Sequence, residues 1–259
     1  MHLATRTFGT GGRRILLLHG ITSDSAGWWR VGADLAAAGW TVTAPDLRGH
    51  GDTGPADSYL FADHAADVLA LADRWDAVLG HSMGGAIAVL AANSRPGWTD
   101  GLILQDPALV MPPSIDQVTG WLLDDYQRPI TVERLAAESP RWAPEDAAAK
   151  AAALTTASPE MIAETIRVNW PWLLLDEAVA LNVPTVIIGS DPKTRGLLPV
   201  AVGRWLAESN PLISYQVIPG SSHSAHRDAD AYETYLKTLT AGLARLPTLR
   251  TENHEGAER

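Results

Sequence analysis

Short apolar runs alternate with longer stretches of helical periodicity along most of this chain. The apolar runs predict buried strands over residues 15–18, 41–44, 77–79, 101–105, 183–188 and 213–218. The helical periodicity predicts helices over residues 28–38, 59–75, 83–93 and about 229–246. Strands that alternate with helices of this length are typical of a parallel sheet with crossover helices. We therefore predict an α/β fold with a mostly parallel central sheet flanked by helices.

The pattern changes between the fourth and fifth apolar runs. Residues 107–182 show helical periodicity and no convincing strand, and they hold four of the ten tryptophans: Trp121, Trp142, Trp170 and Trp172. We interpret this stretch as a helical cap inserted into a core formed by residues 1–106 and 183–247. Ordinary packing of a small helical layer would also account for the tryptophans. The polar residues 248–259 predict a disordered tail.

The composition of the chain narrows the possible functions. With 259 residues, 46% hydrophobic and 19% charged, the chain is long enough for one large domain with a buried core. A formal net charge of −10 argues against nucleic acid or an anionic membrane as a partner, because phosphate groups bind to basic surfaces. No apolar run approaches the roughly 20 residues that span a bilayer. The first residues lack the apolar stretch of a signal peptide, so the default expectation is a cytoplasmic location.

The strongest chemical signal is the pentapeptide Gly80-His81-Ser82-Met83-Gly84. An apolar run precedes it and an alanine-rich helical run follows it, which is the strand, sharp turn and helix that a nucleophile elbow requires. Glycine at the two outer positions removes the clash that bulkier residues would make in such a strained turn. The pattern predicts that Ser82 lies at the carboxyl edge of the sheet, with the backbone N–H of Met83 beside it at a helix N-terminus.

Four motifs in a fixed order resemble the α/β-hydrolase superfamily, and the resemblance covers nearly the whole chain. They are Leu18-His19-Gly20-Ile21, Pro45-Asp46-Leu47-Arg48-Gly49-His50-Gly51, the pentapeptide around Ser82, and Gly220-Ser221-Ser222-His223. The resemblance implies a serine hydrolase whose nucleophile, acid and histidine follow in that order. It also implies that the backbone N–H groups of Ile21 and Met83 form an oxyanion hole. In the superfamily the second motif is structural, so Asp46 and Arg48 are expected to tie loops together.

Ser82 needs a base within hydrogen-bond reach, and His223 is the candidate. It follows the last apolar run and a Pro-Gly turn, so it is expected on a loop at the carboxyl edge of the sheet. The superfamily has its histidine at this position as well. Of the other seven histidines, His226 is the serious rival base, whereas packing and loop hydrogen bonding account for His50 and His81.

Two aspartates are candidates for the acid that orients His223. Asp191 follows the run at 183–188, where most of the superfamily places its acid, but it comes one residue early and proline occupies the usual position. Asp106 follows the preceding run, 24 residues after Ser82, and its segment is similar in spacing to haloalkane dehalogenases and some fungal-toxin lactonases. An Asp-Pro pair is also a frequent turn opener after a strand. We favour Asp106 and keep Asp191 as the alternative.

The leading hypothesis is a cofactor-independent serine hydrolase of the carboxylesterase or lactonase type. It would cleave a small, largely apolar ester or lactone, or an amide, through an acyl-enzyme on Ser82. Four tryptophans are candidates for lining the substrate pocket: Trp28, Trp121, Trp142 and Trp170. No cofactor or metal is expected, and the lack of cysteine excludes disulfides and thiolate metal sites. The expected partner is a small-molecule substrate, and the sequence makes no prediction of oligomeric state.

Two alternatives remain open from the sequence. A perhydrolase or a carbon–carbon bond hydrolase would use the same triad, and fold analogy does not separate these chemistries. A non-catalytic ligand-binding relative is the other alternative, although such proteins often lose one member of the triad. Haloalkane dehalogenase and epoxide hydrolase are disfavoured, because those relatives carry an aspartate where this chain has Ser82.

Overall fold

A computed structural model describes residues 1–194 and 196–257, with side chains described up to residue 246. Its strands are β1 (Thr5–Phe8), β2 (Arg13–Leu18), β3 (Trp40–Pro45), β4 (Ala77–His81), β5 (Leu102–Gln105), β6 (Thr185–Gly189) and β7 (Ile213–Val217). They form one sheet in the order β1-β3-β2-β4-β5-β6-β7. β1 pairs antiparallel with β3, and the other neighbours pair parallel. The predicted α/β class with a mostly parallel sheet is confirmed.

Helices connect the strands and cover both faces of the sheet. They are α1 (Trp29–Ala37), α2 (Phe61–Leu71), α3 (Met83–Ser94), α4 (Ile115–Leu123), α5 (Val132–Glu138), α6 (Pro144–Thr156), α7 (Pro159–Val168), α8 (Leu175–Val179), α9 (Val200–Ser209) and α10 (Tyr232–Ala257). Across the described residues, no helix combines the length and the apolar character that a membrane span needs.

The central strands are buried on both faces. In β2, Leu16 and Leu18 pack into one core cluster, whereas Ile15 and Leu17 pack into a second. Residues of α2, α3 and α9 complete the first cluster, and residues of α1 and α10 complete the second. Because successive side chains of a strand point to opposite faces, a sheet covered on both sides requires continuous apolar runs of the kind seen in this sequence.

Some elements differ from the sequence-based prediction. β1 has no predicted counterpart, because an edge strand with exposed polar residues at its start does not need an apolar run. α9 is also additional to the prediction. The last helix continues to Ala257, past its predicted end at about residue 246. The side chains of residues 247–257 and all of residues 258–259 lie outside the described part of the chain, so the disorder expected for residues 248–259 stays a prediction.

Residues 107–182 contain α4 to α8, between β5 and β6. α4 packs on α7, and α5 packs on α6, where Leu135, Ala147 and Leu154 form a small separate core. α8 packs instead on α3 and α9 of the main layer. The stretch therefore has the helical character that its periodicity indicates, whereas its assignment as a cap over the site stays a prediction.

Candidate active site

Ser82 occupies a strained turn between β4 and α3. Its backbone dihedrals are φ 53° and ψ −121°, a left-handed conformation that non-glycine residues seldom adopt. A Cβ added at Gly80 would lie 2.5 Å from Gly84 O, and one added at Gly84 would overlap with Leu18 O. Glycine is therefore required on both sides of the serine, as the pentapeptide indicates, and the close packing of β2 against the turn holds Ser82 in this conformation.

Hydrogen bonds to the carbonyl oxygen of Ser82 fix the orientation of the peptide bond between Ser82 and Met83. Ser82 O accepts hydrogen bonds at 3.0 Å from both Gly85 N and Ala108 N. In a planar trans peptide the N–H points away from the carbonyl oxygen, so these bonds also orient the N–H of Met83 at the start of α3. Met83 thus presents a preorganised donor beside the serine, at the positive end of the helix dipole.

The peptide bond before Ile21 is oriented in the same way. Gly20 O accepts hydrogen bonds from His19 Nδ1 at 2.9 Å and from Ser23 N at 3.1 Å. His19 Nε2 accepts from Leu47 N at 3.0 Å, so the ring carries its proton on Nδ1. Burial, together with the neighbouring His50, holds the pKa of His19 well below its usual range, and the ring stays neutral. His19, a motif residue for which the sequence predicts no role, therefore orients the N–H of Ile21.

His223 lies against Asp106. The distance between His223 Nδ1 and Asp106 Oδ2 is 2.6 Å. Asp106 directly follows β5, with φ 38°, and its carboxylate also accepts from Leu197 N, Leu198 N and Ser190 Oγ at 2.8–3.0 Å. Burial alone would raise the pKa of Asp106, but the hydrogen bonds from His223 and the two backbone N–H groups outweigh it and hold this pKa below its usual value.

Asp191, the alternative acid, makes different contacts. Its carboxylate accepts from Gly220 N at 2.7 Å and from Lys193 N at 2.8 Å in an exposed turn. These two backbone hydrogen bonds lower the pKa of Asp191. The structure brings Asp106, and not Asp191, to His223.

His226, the rival base, lies in the core. It is 3% exposed, its Nδ1 accepts from Gln105 Nε2 at 2.8 Å, and its ring packs 4.7 Å from the Trp28 ring. Burial holds the pKa of His226 far below its usual value, so the ring stays neutral. His81, from the elbow itself, lies beside His223 and donates from Nε2 to His223 O at 3.0 Å. His226 thus packs behind the candidate base, and His81 braces its backbone.

The four candidate pocket tryptophans lie in different environments. Trp28 is 1% exposed and belongs to the core cluster on the α1 and α10 face, so its assignment to the pocket lining is wrong. Helical periodicity does not tell which side of the sheet a helix covers. Trp121 is 54% exposed on α4, and Trp170 is half-buried against the main core. Trp142 is half-buried below the guanidinium of Arg227, 4.9 Å from the ring centre. For these three, contact with substrate stays a prediction.

The loop at residues 46–51 has the structural role that the resemblance implies. Asp46 accepts from Ser25 N at 2.8 Å and from Asp52 N at 2.9 Å, which joins two loops. Arg48 pairs with Asp67 at 2.7 Å. His50 Nε2 lies 2.7 Å from Ile21 O, next to the oriented peptide.

Sequence reasoning missed a buried charged group on α6. Lys150 is 8% exposed and its Nζ donates to Thr22 Oγ1 at 2.6 Å, one residue beyond Ile21. The signal in the sequence is a single cation in the middle of an alanine-rich helix. Within residues 1–194 and 196–257, no group of three or more histidines and carboxylates has the arrangement of a metal site.

Comparison with known proteins identifies the family of this chain. A family model described as the alpha/beta hydrolase family matches residues 15–234, which is most of the chain. The chain therefore belongs to the alpha/beta hydrolase family, and the resemblance drawn from the four motifs is confirmed.

Curated relatives at the sequence level include lipases. Lipase LipV of Mycobacterium tuberculosis is 34% identical over 106 residues, which are 39% of this chain and 40% of that protein. A monoacylglycerol lipase of Mycolicibacterium smegmatis is 27% identical over 233 residues, which are 83% of this chain and 82% of that protein. The matches to the first five curated relatives span 28–40% of those proteins' own lengths. These relatives support a hydrolase.

Solved structures share the fold. An esterase from Exiguobacterium antarcticum has a TM-score of 0.77 at 19% identity, over 93% of this chain and 95% of that chain. The enol-lactonase from Burkholderia xenovorans LB400 has a TM-score of 0.75 at 22% identity, over 93% of this chain and 96% of that chain. Likeness at this level of identity concerns the fold alone, and the predicted α/β-hydrolase fold is confirmed.

Proposed function

We propose that this protein is a cofactor-independent serine hydrolase in which Ser82 is the nucleophile, His223 the base and Asp106 the acid. The observation that carries the proposal is the 2.6 Å contact between His223 Nδ1 and Asp106 Oδ2 at the sheet edge where Ser82 stands in its strained turn. A carboxylate on Nδ1 favours the tautomer whose Nε2 accepts a proton, and it stabilises the imidazolium that then forms.

The proposed reaction has two stages. Ser82 Oγ attacks the carbonyl carbon of the substrate while His223 Nε2 takes the hydroxyl proton. The N–H groups of Met83 and Ile21 stabilise the resulting oxyanion. Collapse of the tetrahedral intermediate expels the alcohol, which takes the proton from His223 and leaves an acyl-enzyme. Water then gives a proton to His223 and attacks the acyl carbon to form a second tetrahedral intermediate. Its collapse breaks the bond to Ser82 Oγ, which takes the proton back from His223, and the acid is released.

The proposed substrate is a small, largely apolar ester or lactone. Trp121 and Trp170, on the helical segment between β5 and β6, supply apolar surface that such a substrate would contact. Relatives named as a lipase, a pyrethroid hydrolase and an enol-lactonase are in line with ester and lactone chemistry. The expected cytoplasmic location stays a prediction.

Labelling with a fluorophosphonate tests the nucleophile. We expect the wild-type protein to be labelled at Ser82 and to hydrolyse p-nitrophenyl butyrate. Ser82→Ala should abolish the label and reduce kcat by about 10⁴-fold or more, because the attacking atom is lost. Ser94→Ala is the matched control, since Ser94 Oγ donates to Leu90 O on the exposed end of α3. Full turnover by Ser82→Ala would exclude the proposed mechanism.

A substrate panel tests the chemical class. We expect the highest kcat/KM for short apolar esters or lactones and lower values for amides, whose leaving groups are poorer. Fast cleavage of a vinylogous diketone, beside slow ester hydrolysis, would instead favour the carbon–carbon bond hydrolase.

A further inference from the structure

Two buried cations hold the loop that follows Ile21. Lys150, on α6, donates from Nζ to Thr22 Oγ1 at 2.6 Å and to Thr22 O at 3.2 Å. Arg227, from the segment after β7, is 4% exposed and donates from Nη2 to Ser23 Oγ at 2.7 Å. The two residues directly after Ile21 are therefore held by side chains from two other parts of the fold.

We propose that Lys150 is a positioning residue for the oxyanion hole, and that its ammonium group acts through Thr22 to hold the N–H of Ile21 in place. The inference rests on the proposed function, because it requires an oxyanion to form when Ser82 attacks. Lys150 does not touch the reacting atoms in this scheme. It couples the helical segment between β5 and β6 to the loop that carries one of the two donors.

The ammonium form of Lys150 matches its surroundings. Three acceptors face Nζ: Thr22 Oγ1, Thr22 O, and Asp125 Oδ2 at 3.3 Å. An ammonium has three N–H donors, one for each acceptor, whereas a neutral amine has two and no charge to pair with Asp125. A buried cation is tolerated only when it is paired and hydrogen-bonded in this way. Loss of the proton therefore weakens the hold on Thr22.

The charges around Lys150 make this hold sensitive to pH. The pKa of Lys150 is lowered to about 8: burial is the largest effect and lowers it, Asp125 raises it, and Arg227 and Arg134 also lower it. On its own helix, Asp146 lies one turn earlier. Asp52, in the turn packed against α6, is exposed to solvent.

Activity and stability should respond to this titration in opposite directions. The folded-state pKa of Lys150 lies below the ordinary value of 10.5, so the unfolded chain binds more protons between about pH 8 and pH 10.5. The contribution of Lys150 to the free energy of unfolding therefore rises with pH across this window. Over the same window, kcat should fall as the ammonium disappears. A residue with a purely structural role would move the stability alone.

The main test compares Lys150→Met with Lys237→Met in the hydrolysis of p-nitrophenyl butyrate. Lys237 is the control because its side chain is 75% exposed on α10. We expect Lys150→Met to lower kcat about tenfold at pH 7 with little change in KM, less than the 10²–10³-fold loss for removal of an oxyanion donor. The wild type and Lys237→Met should lose kcat above about pH 8, and Lys150→Met should lack this alkaline fall. A Lys150→Met variant with wild-type kcat and the same alkaline fall would overturn the proposal.

A second pair of variants keeps the test decisive if Lys150→Met does not fold. Thr22→Val removes the hydroxyl that Lys150 binds, and Thr22→Ser retains it. We expect Thr22→Val to lower kcat severalfold and Thr22→Ser to keep kcat near the wild-type value. Equal kcat in the two Thr22 variants would reject the role of this contact. Ser82→Ala in the same assay separates the two proposals. Turnover retained by Ser82→Ala would reject the proposed function, whereas unchanged kcat in the Lys150 and Thr22 variants would reject only the positioning role of Lys150.

Discussion

An aspartate follows each of two neighbouring strands at the same edge of the sheet, and only one of these two aspartates contacts His223. Asp106 is the first residue after β5, is 1% exposed, and its carboxylate accepts four hydrogen bonds, including the one from His223. Asp191 is the second residue after β6, and its carboxylate accepts two backbone N–H groups in an exposed turn. The buried aspartate after β5 thus contacts a histidine, whereas the aspartate after β6 stabilises a surface turn.

Ser190, the first residue after β6, explains the difference. Its Oγ donates to Asp106 Oδ2 at 2.8 Å, so the end of β6 reaches the site with a hydroxyl instead of a carboxylate. Successive side chains at a strand end point in opposite directions, and Asp191 is therefore directed away from the position that Ser190 occupies. The count of residues from the strand end therefore decides which carboxylate reaches the histidine.

Removing the charge of each aspartate in turn should give the largest contrast. We expect Asp106→Asn to lower kcat by about 10⁴-fold, because the amide favours the wrong tautomer of His223. Asp191→Asn should stay within about twofold of wild type in p-nitrophenyl ester hydrolysis, since its contacts are confined to the turn. The reverse result would assign the acid to Asp191.

Moving the carboxylate from one strand end to the other should recover part of the loss. Ser190→Asp, introduced into Asp106→Asn, places a carboxylate at position 190, where the wild-type serine side chain contacts Asp106. We expect kcat at least about tenfold above that of Asp106→Asn alone, because a restored carboxylate again stabilises the imidazolium. Ser190→Asn in the same background is the uncharged control. No gain over this control would show that the end of β6 lies too far from His223.

Removing the Ser190 hydroxyl alone should have a smaller effect. Ser190→Ala deletes one of the four hydrogen bonds to the Asp106 carboxylate, and Ser190 is 6% exposed. A hydrogen bond to a charged group contributes about 1.5–3 kcal/mol, so we expect the free energy of unfolding to fall by about this amount in urea denaturation. Because the His223 contact is retained, kcat should change by less than about tenfold. Ser94→Ala is again the surface control, and an equal effect there would contradict the proposed bond.

Acid titration should give the smallest and most gradual difference between the two aspartates. The pKa of Asp106 is lower in the folded protein than in the unfolded chain, so its contribution to stability is present above about pH 4 and lost as the pH falls through the folded-state value. The Tm difference between wild type and Asp106→Asn should shrink on acidification. Asp191→Asn should show little pH-dependent difference, because its exposed carboxylate is screened by solvent. A constant Tm difference for Asp106→Asn across this range would contradict the assignment.

The elbow could be predicted from the sequence because its determinants are local. Gly80, Ser82 and Gly84 lie within five residues, and a side chain at Gly80 would clash with the start of α3; only the clash at Gly84, with Leu18 at the end of β2, comes from elsewhere in the chain. His223 could be proposed as the base because its place in the chain order agrees with a turn directly after the last strand. The choice of Asp106 needed the count from a strand end, which the sequence indicates only to within a residue or two.

The contributions of Trp28 and Lys150 could not be predicted, because they depend on tertiary packing. The helical pattern around Trp28 shows an apolar face but not which side of the sheet it covers, and the ring lies in the core against His226. A lone lysine in an alanine-rich helix is typical of a solvent-facing position. Lys150 is instead buried, because the loop carrying Thr22 and the turn carrying Asp125 supply its acceptors.

The bond from Ala108 N to Ser82 O has a consequence for recombination within the family. Residues 107–111 start the helical segment, and Leu109 O accepts from Leu174 N at 2.7 Å, which ties the two roots of the segment together. A chimera that cuts directly after Asp106 would therefore sever a support of the strained turn at Ser82. Graft junctions placed beyond residue 111 and before residue 172 leave that support intact, so the helical segment could be exchanged without disturbing the backbone around Ser82.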